Sequence, residues 1–434
     1  MSLRILHLAA HCNPEWVSVP LVGYSHQRAL AGVCDAHLVT QWFNADALKR
    51  AGLRETADFT ALDASAVAAP ISDLAEKIRG GSGKGWTTKM ALAALSQPYF
   101  ERLVWQRFGP EIAQGKWDIV HQITPLSPTL PSRIAAKSRH LGVPFVWGPL
   151  NGGVPWPAGY DAARRQEREY LSYVRDVYKL HPGYRQTREA AAAILVASRD
   201  TYAQLPPRAR AKTVYIPENG IDPARFHRRR TRTAAVPLRA VFLGRLVPYK
   251  GCDMLLAAAA GLIRAGKLTL RIIGEGPQRA EIERQIAREN LGPAVTLTGW
   301  VEHAKVQDLL ADADLLTFPS IREFGGGVAP EAMAVGLPAV VPDYGGLGEL
   351  VSPATGWLLP IAPREQLIAH LRTTLESIVA DPGQIDEKSA AAVRRVHQSF
   401  TWEAKARQTL AVYKWVTGTA DKPDFGMPLH ENPA

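Results

Sequence analysis

The chain has 434 residues, 46% hydrophobic and 21% charged, with a formal net charge of +10. One hydrophobic core does not accommodate that length, so two domains are expected, and the composition is that of an ordinary soluble globular protein. No apolar run reaches the ~18 residues a membrane-spanning helix needs. Cys12, Cys34 and Cys252 are too few and scattered for a disulfide framework or a zinc site, which points to a reducing, cytoplasmic compartment.

The basic balance admits three partners: nucleic acid, an anionic membrane surface or an anionic small substrate. No zinc finger, RNA-recognition signature or aromatic-basic repeat supports nucleic acid. An unspecialised surface composition accounts for the charge equally well.

In chain order, the opening Arg4–Leu8 reads as a first buried strand and not as a signal peptide. A loop from His11 to His26 follows, with Gly23 placed at the mouth of the next helix. Further short apolar strands are Ala36–Thr40, Ile119–His121, Phe145–Trp147 and Ala193–Ala197, alternating with longer amphipathic segments. Between them, Lys84, Trp86, Lys89, Arg102, Trp105, Arg107, Phe108, Lys116 and Trp117 mix cations with aromatic rings. The mixture fits an interfacial patch on anionic lipid, or a helix with core tryptophans and solvated cations. His121 stands at a strand end, where it is either a ligand contact or structural. After the strand at 145–147, Asn151, Gly152 and Trp156 lie on a stiff loop of glycine, proline and tryptophan. That loop either stacks on an acceptor sugar or packs as a buried turn against Tyr160.

A second series of strands runs Ala240–Gly244, Thr269–Gly274, Val295–Thr298, Leu315–Pro319 and Ala339–Val341. Strand and helix in alternation imply parallel sheets covered on both faces, an α/β chain of two doubly wound domains. Ligands then bind at the carboxyl ends of the strands. The stretch 223–237, with Arg225, Arg228, Arg229, Arg230 and Arg232, reads as an exposed connector with solvated arginines.

The densest signal is Ser320-Ile-Arg-Glu-Phe-Gly-Gly-Gly-Val-Ala-Pro-Glu331. A strand end delivers Glu323. Gly325, Gly326 and Gly327 let backbone N–H groups approach a ligand. A helix start favours an anion such as phosphate. Glu331, a turn or two further, is placed to accept hydrogen bonds from a ribose diol. Earlier, Gly244-Arg-Leu-Val-Pro-Tyr-Lys-Gly251 ends a strand and carries Arg245 and Lys250, two fixed cations suited to a diphosphate. The glycine turns at Gly274 and at Gly299-Trp300-Val301 suit a base or ribose. Ile273-Gly-Glu-Gly-Pro277 lacks the third glycine of a dinucleotide fingerprint.

Together these pieces resemble glycosyltransferase family 4, retaining enzymes of the GT-B architecture. Further markers are Ile216-Pro-Glu-Asn-Gly-Ile-Asp222, Gly345-Gly-Leu-Gly-Glu349 and Thr355-Gly-Trp-Leu-Leu-Pro360. The resemblance covers Ile216 to about Pro360. It implies two Rossmann-like domains facing a central cleft, an acceptor-binding domain over 1–215 and a donor-binding domain over 216–399. A helix at about 400–416 would pack back on the first domain, ahead of a loose tail over 417–434.

The implied substrates are a nucleotide-diphosphate sugar and a saccharide or lipid-linked acceptor, as in the bacterial exopolysaccharide transferases whose loops resemble 146–156. No cofactor or metal is required, and a place at the inner face of the cytoplasmic membrane suits a lipid-linked acceptor. Arg245 and Lys250 would bind the diphosphate and Glu323 the sugar, with His121 as a further catalytic candidate. Gly23, Gly274, Trp300, Val301, Phe324, Gly325, Gly326, Gly327, Val328 and Glu331 would complete the donor contacts. Glu218, inserted in the usual Pro-Asn-Gly-Ile-Asp linker, departs from the pattern. Two rivals remain open at this point: a sugar-nucleotide epimerase of the same architecture, and a non-catalytic sugar-nucleotide binding protein.

Overall fold

The computed structural model describes residues 2–66, 86–166 and 181–430. They form two parallel sheets. The first contains β1 (Arg4–Ala9), β2 (Asp35–Gln41), β3 (Phe59–Leu62), β4 (Ile119–Thr124), β5 (Phe145–Leu150), β6 (Ala193–Val196) and β7 (Thr213–Tyr215). Their order is β3-β2-β1-β4-β5-β6-β7. The second contains β8 (Leu238–Leu243), β9 (Leu268–Ile273), β10 (Val295–Gly299), β11 (Leu315–Thr317), β12 (Ala339–Pro342) and β13 (Gly356–Leu359). Its order is β10-β9-β8-β11-β12-β13. Both are doubly wound, with the order reversing between β1 and β4 and between β8 and β11. Ligands bind outside the carboxyl ends of strands at such reversals.

Interior strands such as β6 form because they are unbroken apolar runs buried on both faces. Every residue of β5, β6 and β12 is buried. The sequence reading missed β3, β7 and β13, each of which lies at a sheet edge. Phe59-Thr-Ala-Leu62 and Gly356–Leu359 are only partly covered, and β7, though buried, is three residues long.

The chain folds into two compact units. One comprises Met1–Gly153, Arg168–Glu218 and Trp402–Gly426; the other comprises Val154–Glu167, Asn219–Thr401 and Met427–Ala434. Val154–Glu167, expected with the first domain, belongs to the second. The last helix, Trp402–Val416, belongs to the first unit, where Ala406, Val412 and Tyr413 enter the core beside Ile5, Ile119 and Val146. Within the described residues the tail has two anchors. Phe425 packs on the first unit's core, and Leu429 is buried in the second, where its carbonyl accepts from Arg395 Nη2 at 3.1 Å.

Gly23 is not at a helix mouth. The helix starts at Val19, so Gly23 lies in its second turn. A Cβ there would meet His11 O at 2.3 Å, so this glycine lets the helix sit against the β1 loop. Of the connector arginines, Arg225, Arg228 and Arg229 are exposed as expected, whereas Arg230 and Arg232 are covered. The Arg230 side chain is 3% exposed and bridges buried Asp314 to half-buried Asp386, Arg232 also pairs with Asp314, and exposed Arg228 pairs with Asp308. They tie the connector to the second unit.

Lys84 and the side chains of Trp86 and Lys89 lie outside the described residues. Phe108 and Trp117 are buried, and Arg107 and Lys116 both pair with Glu111. Trp105 packs under the Lys137 ammonium at 4.7 Å.

His121 is the largest departure. β4 continues past it through Gln122 to Thr124, so the residue sits mid-strand with no exposure, in register with His7 of β1. Its Nε2 donates to Gly148 O at 2.6 Å and its Nδ1 accepts from Tyr413 Oη at 2.5 Å. Both ring nitrogens are committed, which makes His121 a structural residue. His7 and His26 are buried around it; His7 Nε2 lies 3.0 Å from the same Tyr413 hydroxyl, and His26 Nε2 lies 3.3 Å from Thr409 Oγ1. On the same helix, buried Lys405 donates to Pro217 O at 2.5 Å. Burial lowers its pKa to about 7 and raises that of Glu218, beside Asn151, to about 7.

Burial holds His7 neutral down to about pH 4 and His26 to about pH 3. In the unfolded chain both protonate near the ordinary value of 6.5. Their folded pKa values are depressed, so the stability they favour is complete above pH 6.5. It is lost as pH falls towards 4. The unfolding temperature should therefore drop across that window, and His7→Gln should flatten the slope; a pH-independent transition would contradict this.

Candidate active site

Three loops at the carboxyl edge of the second sheet lock together because glycines let their backbones touch. After β8, Gly244 N–H bonds to Ile273 O at 3.0 Å, and after β9, Gly274 N–H bonds to Gly299 O at 2.9 Å. A Cβ on Gly274 would lie 2.0 Å from Gly244 O. Leu246 N–H then bonds to Glu275 O at 2.9 Å, fixing the first turn of the loop that carries Arg245 and Lys250.

That loop ends in a single 3-10 turn, Pro248–Lys250, closed by Gly251 at φ 74°. It lies against the segment after β11. Ile321 N–H bonds to Tyr249 O at 2.9 Å, and a Cβ on Gly251 would meet Pro319 O at 2.5 Å. This approach brings Lys250 Nζ onto Glu323 Oε1 in a close ion pair. The pair is mostly covered, with the lysine side chain 16% and the glutamate 11% exposed. Ser320 Oγ lies 2.8 Å from the same carboxylate oxygen and 3.2 Å from Tyr249 O. A hydroxyl has one proton to donate, and the shorter bond to the charged acceptor takes it. The ammonium also stands 5.2 Å from the centre of the Phe318 ring and 5.4 Å from that of Tyr249, where ring faces favour a cation.

Beyond Glu323, its carbonyl accepts from Gly346 N–H at 3.0 Å. Phe324 is half-buried, with the Arg322 guanidinium 5.0 Å from its ring. Gly325, Gly326 and Gly327 lead into the helix Val328–Ala334. Gly327 faces the side chain of Asn219, whose Nδ2 would lie 3.4 Å from a Cβ there. Within the helix, Glu331 Oε1 lies 3.0 Å from His303 Nε2, and Arg225 Nη2 lies 2.6 Å from His303 Nδ1. An arginine only donates, so His303 accepts at Nδ1 and donates from Nε2 to Glu331.

The structure thus joins Lys250 directly to Glu323 and places Gly325–Gly327, Val328 and Glu331 on the segment that follows. Arg245 is exposed on the Lys250 loop. Trp300 is 74% exposed and Val301 half-buried after β10. Gly274 acts as packing under the Lys250 loop. Gly23 and His121 belong to the other unit and join none of these contacts.

The loop 151–156 divides between the units. Asn151 is buried in the first, and Gly152 O accepts there from Thr201 Oγ1 at 3.0 Å. Trp156 belongs to the second, edge-on to Tyr249 with ring centres 6.2 Å apart and with Arg322 over its face at 5.0 Å. It is therefore packed on the residue preceding Lys250. Sequence reasoning missed Ser320, Tyr249, His303 and Arg225. Ser320 stands three positions before Glu323 and His303 two after Val301, and only the folded pairing marks either.

Gly251→Ala should destabilise the second unit by roughly 2 kcal/mol or more, since it combines a left-handed residue with a backbone clash. Denaturant unfolding measures this; an unchanged midpoint would contradict the packing described.

Residues 237–377 match the family model for glycosyl transferases group 1. A glycogen synthase of Mycobacterium tuberculosis is 34% identical over 223 residues, which cover 50% of this chain and 52% of the relative. A 2-deoxystreptamine glucosyltransferase of Streptomyces kanamyceticus is 32% identical over 178 residues, 41% of this chain and 45% of that one. The chain thus spans about half the length of the curated relatives it matches. Among solved structures, Anabaena HepE in complex with UDP superposes with a TM-score of 0.59 at 16% identity, over 94% of this chain and 98% of that one. At that identity the likeness is one of fold, and the fold is GT-B, built of two Rossmann-like domains.

Proposed function

We propose that this chain, whose second unit is a group 1 glycosyl transferase domain, is a retaining glycosyltransferase. It moves a sugar from a nucleotide-diphosphate donor to a hydroxyl of a saccharide or lipid-linked saccharide, in polysaccharide or glycolipid biosynthesis. The observation that carries this reading is the Lys250–Glu323 pair beside the reversal of the second sheet, fixed by Ser320. An ammonium and a carboxylate in contact offer both kinds of group a sugar diphosphate needs. The ammonium answers the phosphate and the carboxylate accepts from sugar hydroxyls. The names of the relatives and the UDP bound to HepE support a nucleotide-sugar donor.

In this reading the donor diphosphate displaces the carboxylate from Lys250 and is met by Arg245 as well. Glu323, still held by Ser320, turns to the sugar hydroxyls. The bond from the anomeric carbon to the diphosphate oxygen breaks, and negative charge develops on that oxygen against the two cations. The acceptor hydroxyl enters on the same face. Its oxygen bonds to the anomeric carbon and its proton passes to the departing phosphate oxygen, so configuration is retained. With two cations neutralising the leaving group, no metal is required. Glu331, aimed by His303, accepts from the ribose diol. Among the described residues no helix is long and apolar enough to cross a membrane; a lipid-linked acceptor would bring the enzyme to the inner face of the cytoplasmic membrane.

A thermal-shift panel of sugar nucleotides identifies the donor. With that donor, Lys250→Ala should lower turnover by about 10²-fold or more; it should also lower the unfolding transition, since Glu323 loses its partner, while the variant stays folded at assay temperature. Near-normal turnover in that variant, or a product of inverted anomeric configuration by NMR, would overturn the assignment.

A further inference from the structure

At the carboxyl edge of the first sheet, two loops carry exposed aromatic rings. The loop after β1 holds Trp16 and the turn after β2 holds Trp42 and Phe43. Trp16 and Trp42 are each 48% exposed and neighbouring Val17 is 80% exposed. Trp16 and Phe43 are stacked, with centres 5.8 Å apart and planes within 9°, and Trp42 stands edge-on to Phe43 at 6.0 Å. The rings form a flat strip with an upright wall. Burying them in the core would be the ordinary way to use such side chains.

The strip is braced from below. Asn13 Nδ2 reaches Asn44 Oδ1 at 3.5 Å, which links the two loops, and Asn44 Nδ2 donates to Ala10 O at 3.1 Å and to Thr40 Oγ1 at 2.9 Å. Asn13 Oδ1 accepts from Glu15 N–H at 2.9 Å. Arg50 grips Glu15 with two bonds, at 2.7 and 2.9 Å. Ser18 closes the loop at φ 65°, a conformation that costs a non-glycine residue free energy and is kept here by the surrounding contacts. Exposed rings held in place this way lose little conformational entropy when a partner stacks on them.

Two observations identify the partner. First, the β1 loop stands where the first sheet reverses, and His11 N–H bonds to Thr124 Oγ1 at the end of β4 at 3.1 Å. Second, the chain is strongly basic overall, yet the charges around the strip are balanced. Arg50 pairs with Glu15 and Lys49 with Glu55, with Asp46 beside both cations. Three carboxylates against two cations repel an anionic lipid surface and leave a neutral ligand free to approach. A flat aromatic face in a neutral setting suits the face of a pyranose ring. The C–H bonds on that face carry partial positive charge and meet the negative face of the aromatic quadrupole.

We propose that Trp16, Phe43 and Trp42 form a stacking platform for a neutral hexopyranose unit of the acceptor. The platform sets acceptor specificity by ring face and not by charge. It rests on the transfer reading only in calling that saccharide an acceptor, and its test uses no nucleotide sugar, so the two stand or fall separately.

The full chain is applied to an array of immobilised neutral gluco-, galacto- and manno-configured oligosaccharides, and to vesicles of phosphatidylglycerol and phosphatidylcholine. The wild type should retain at least one oligosaccharide. Trp16→Ala and Trp42→Ala should weaken that binding at least ten-fold, and Trp16→Phe, which keeps a ring face, should restore most of it. Circular dichroism establishes that the exposed-site variants remain folded. The proposal is overturned if the wild type retains no saccharide, if Trp16→Ala binds as the wild type does, or if the tryptophans are needed for vesicle binding instead.

Discussion

Lys250 and Glu323 meet from 73 residues apart, and the surrounding loops are shaped to allow it. Neither residue is held by its own helix or strand. Each stands on a turn after a strand, and the turns touch through backbone where glycine leaves room. Gly274 supports the Lys250 loop from the β9 side, and Gly251 admits the carbonyl of Pro319 from the β11 side. A side chain at either place would clash with backbone and push the loops, and so the charges, apart. In a mostly covered setting such a separation leaves each group short of a partner, which costs more than the same loss at the surface. The sheet therefore positions the pair, and the glycines let the sheet's geometry reach it.

The parts of this arrangement differ in how they can be read from sequence. Interior strands such as Ala193–Val196 are legible because an unbroken apolar run has one destination. The edge strands Phe59–Leu62 and Gly356–Leu359 are not, because half-covered segments resemble loops. Glu323 and Lys250 were legible as motif positions, through their order along the chain and their neighbouring glycines. Ser320, Tyr249 and His303 carry no such signature, since their importance lies in which atom they face. Trp156 was placed with the wrong partner because sequence gives no sign that the chain crosses into the second unit at Val154 and returns after Glu167.

His121, Arg230 and Arg232 depart from the sequence reading for a related reason. A histidine at an apparent strand end invites a role in chemistry, but β4 extends through Gln122 and Thr124, polar residues that hid the strand's length. The first unit carries a polar interior of His7, His26, His121, Tyr413 and Lys405, satisfied largely by one another and by backbone. Arg230 and Asp314 do the same in the second unit. Buried polar groups need partners with defined directions, so they specify one packing more narrowly than apolar contacts do. Sequence shows the groups and hides the directions.

The helix Trp402–Val416 closes the first unit although nearly two hundred residues of the second precede it along the chain. On the ribosome, then, β1 and β4 emerge long before the Tyr413 hydroxyl that binds His121 and the Lys405 ammonium that caps Pro217. Until that helix arrives, the nascent first sheet presents uncovered apolar and imidazole surface to solvent. Vectorial synthesis thus leaves the half made first open until every strand of the other half has been made.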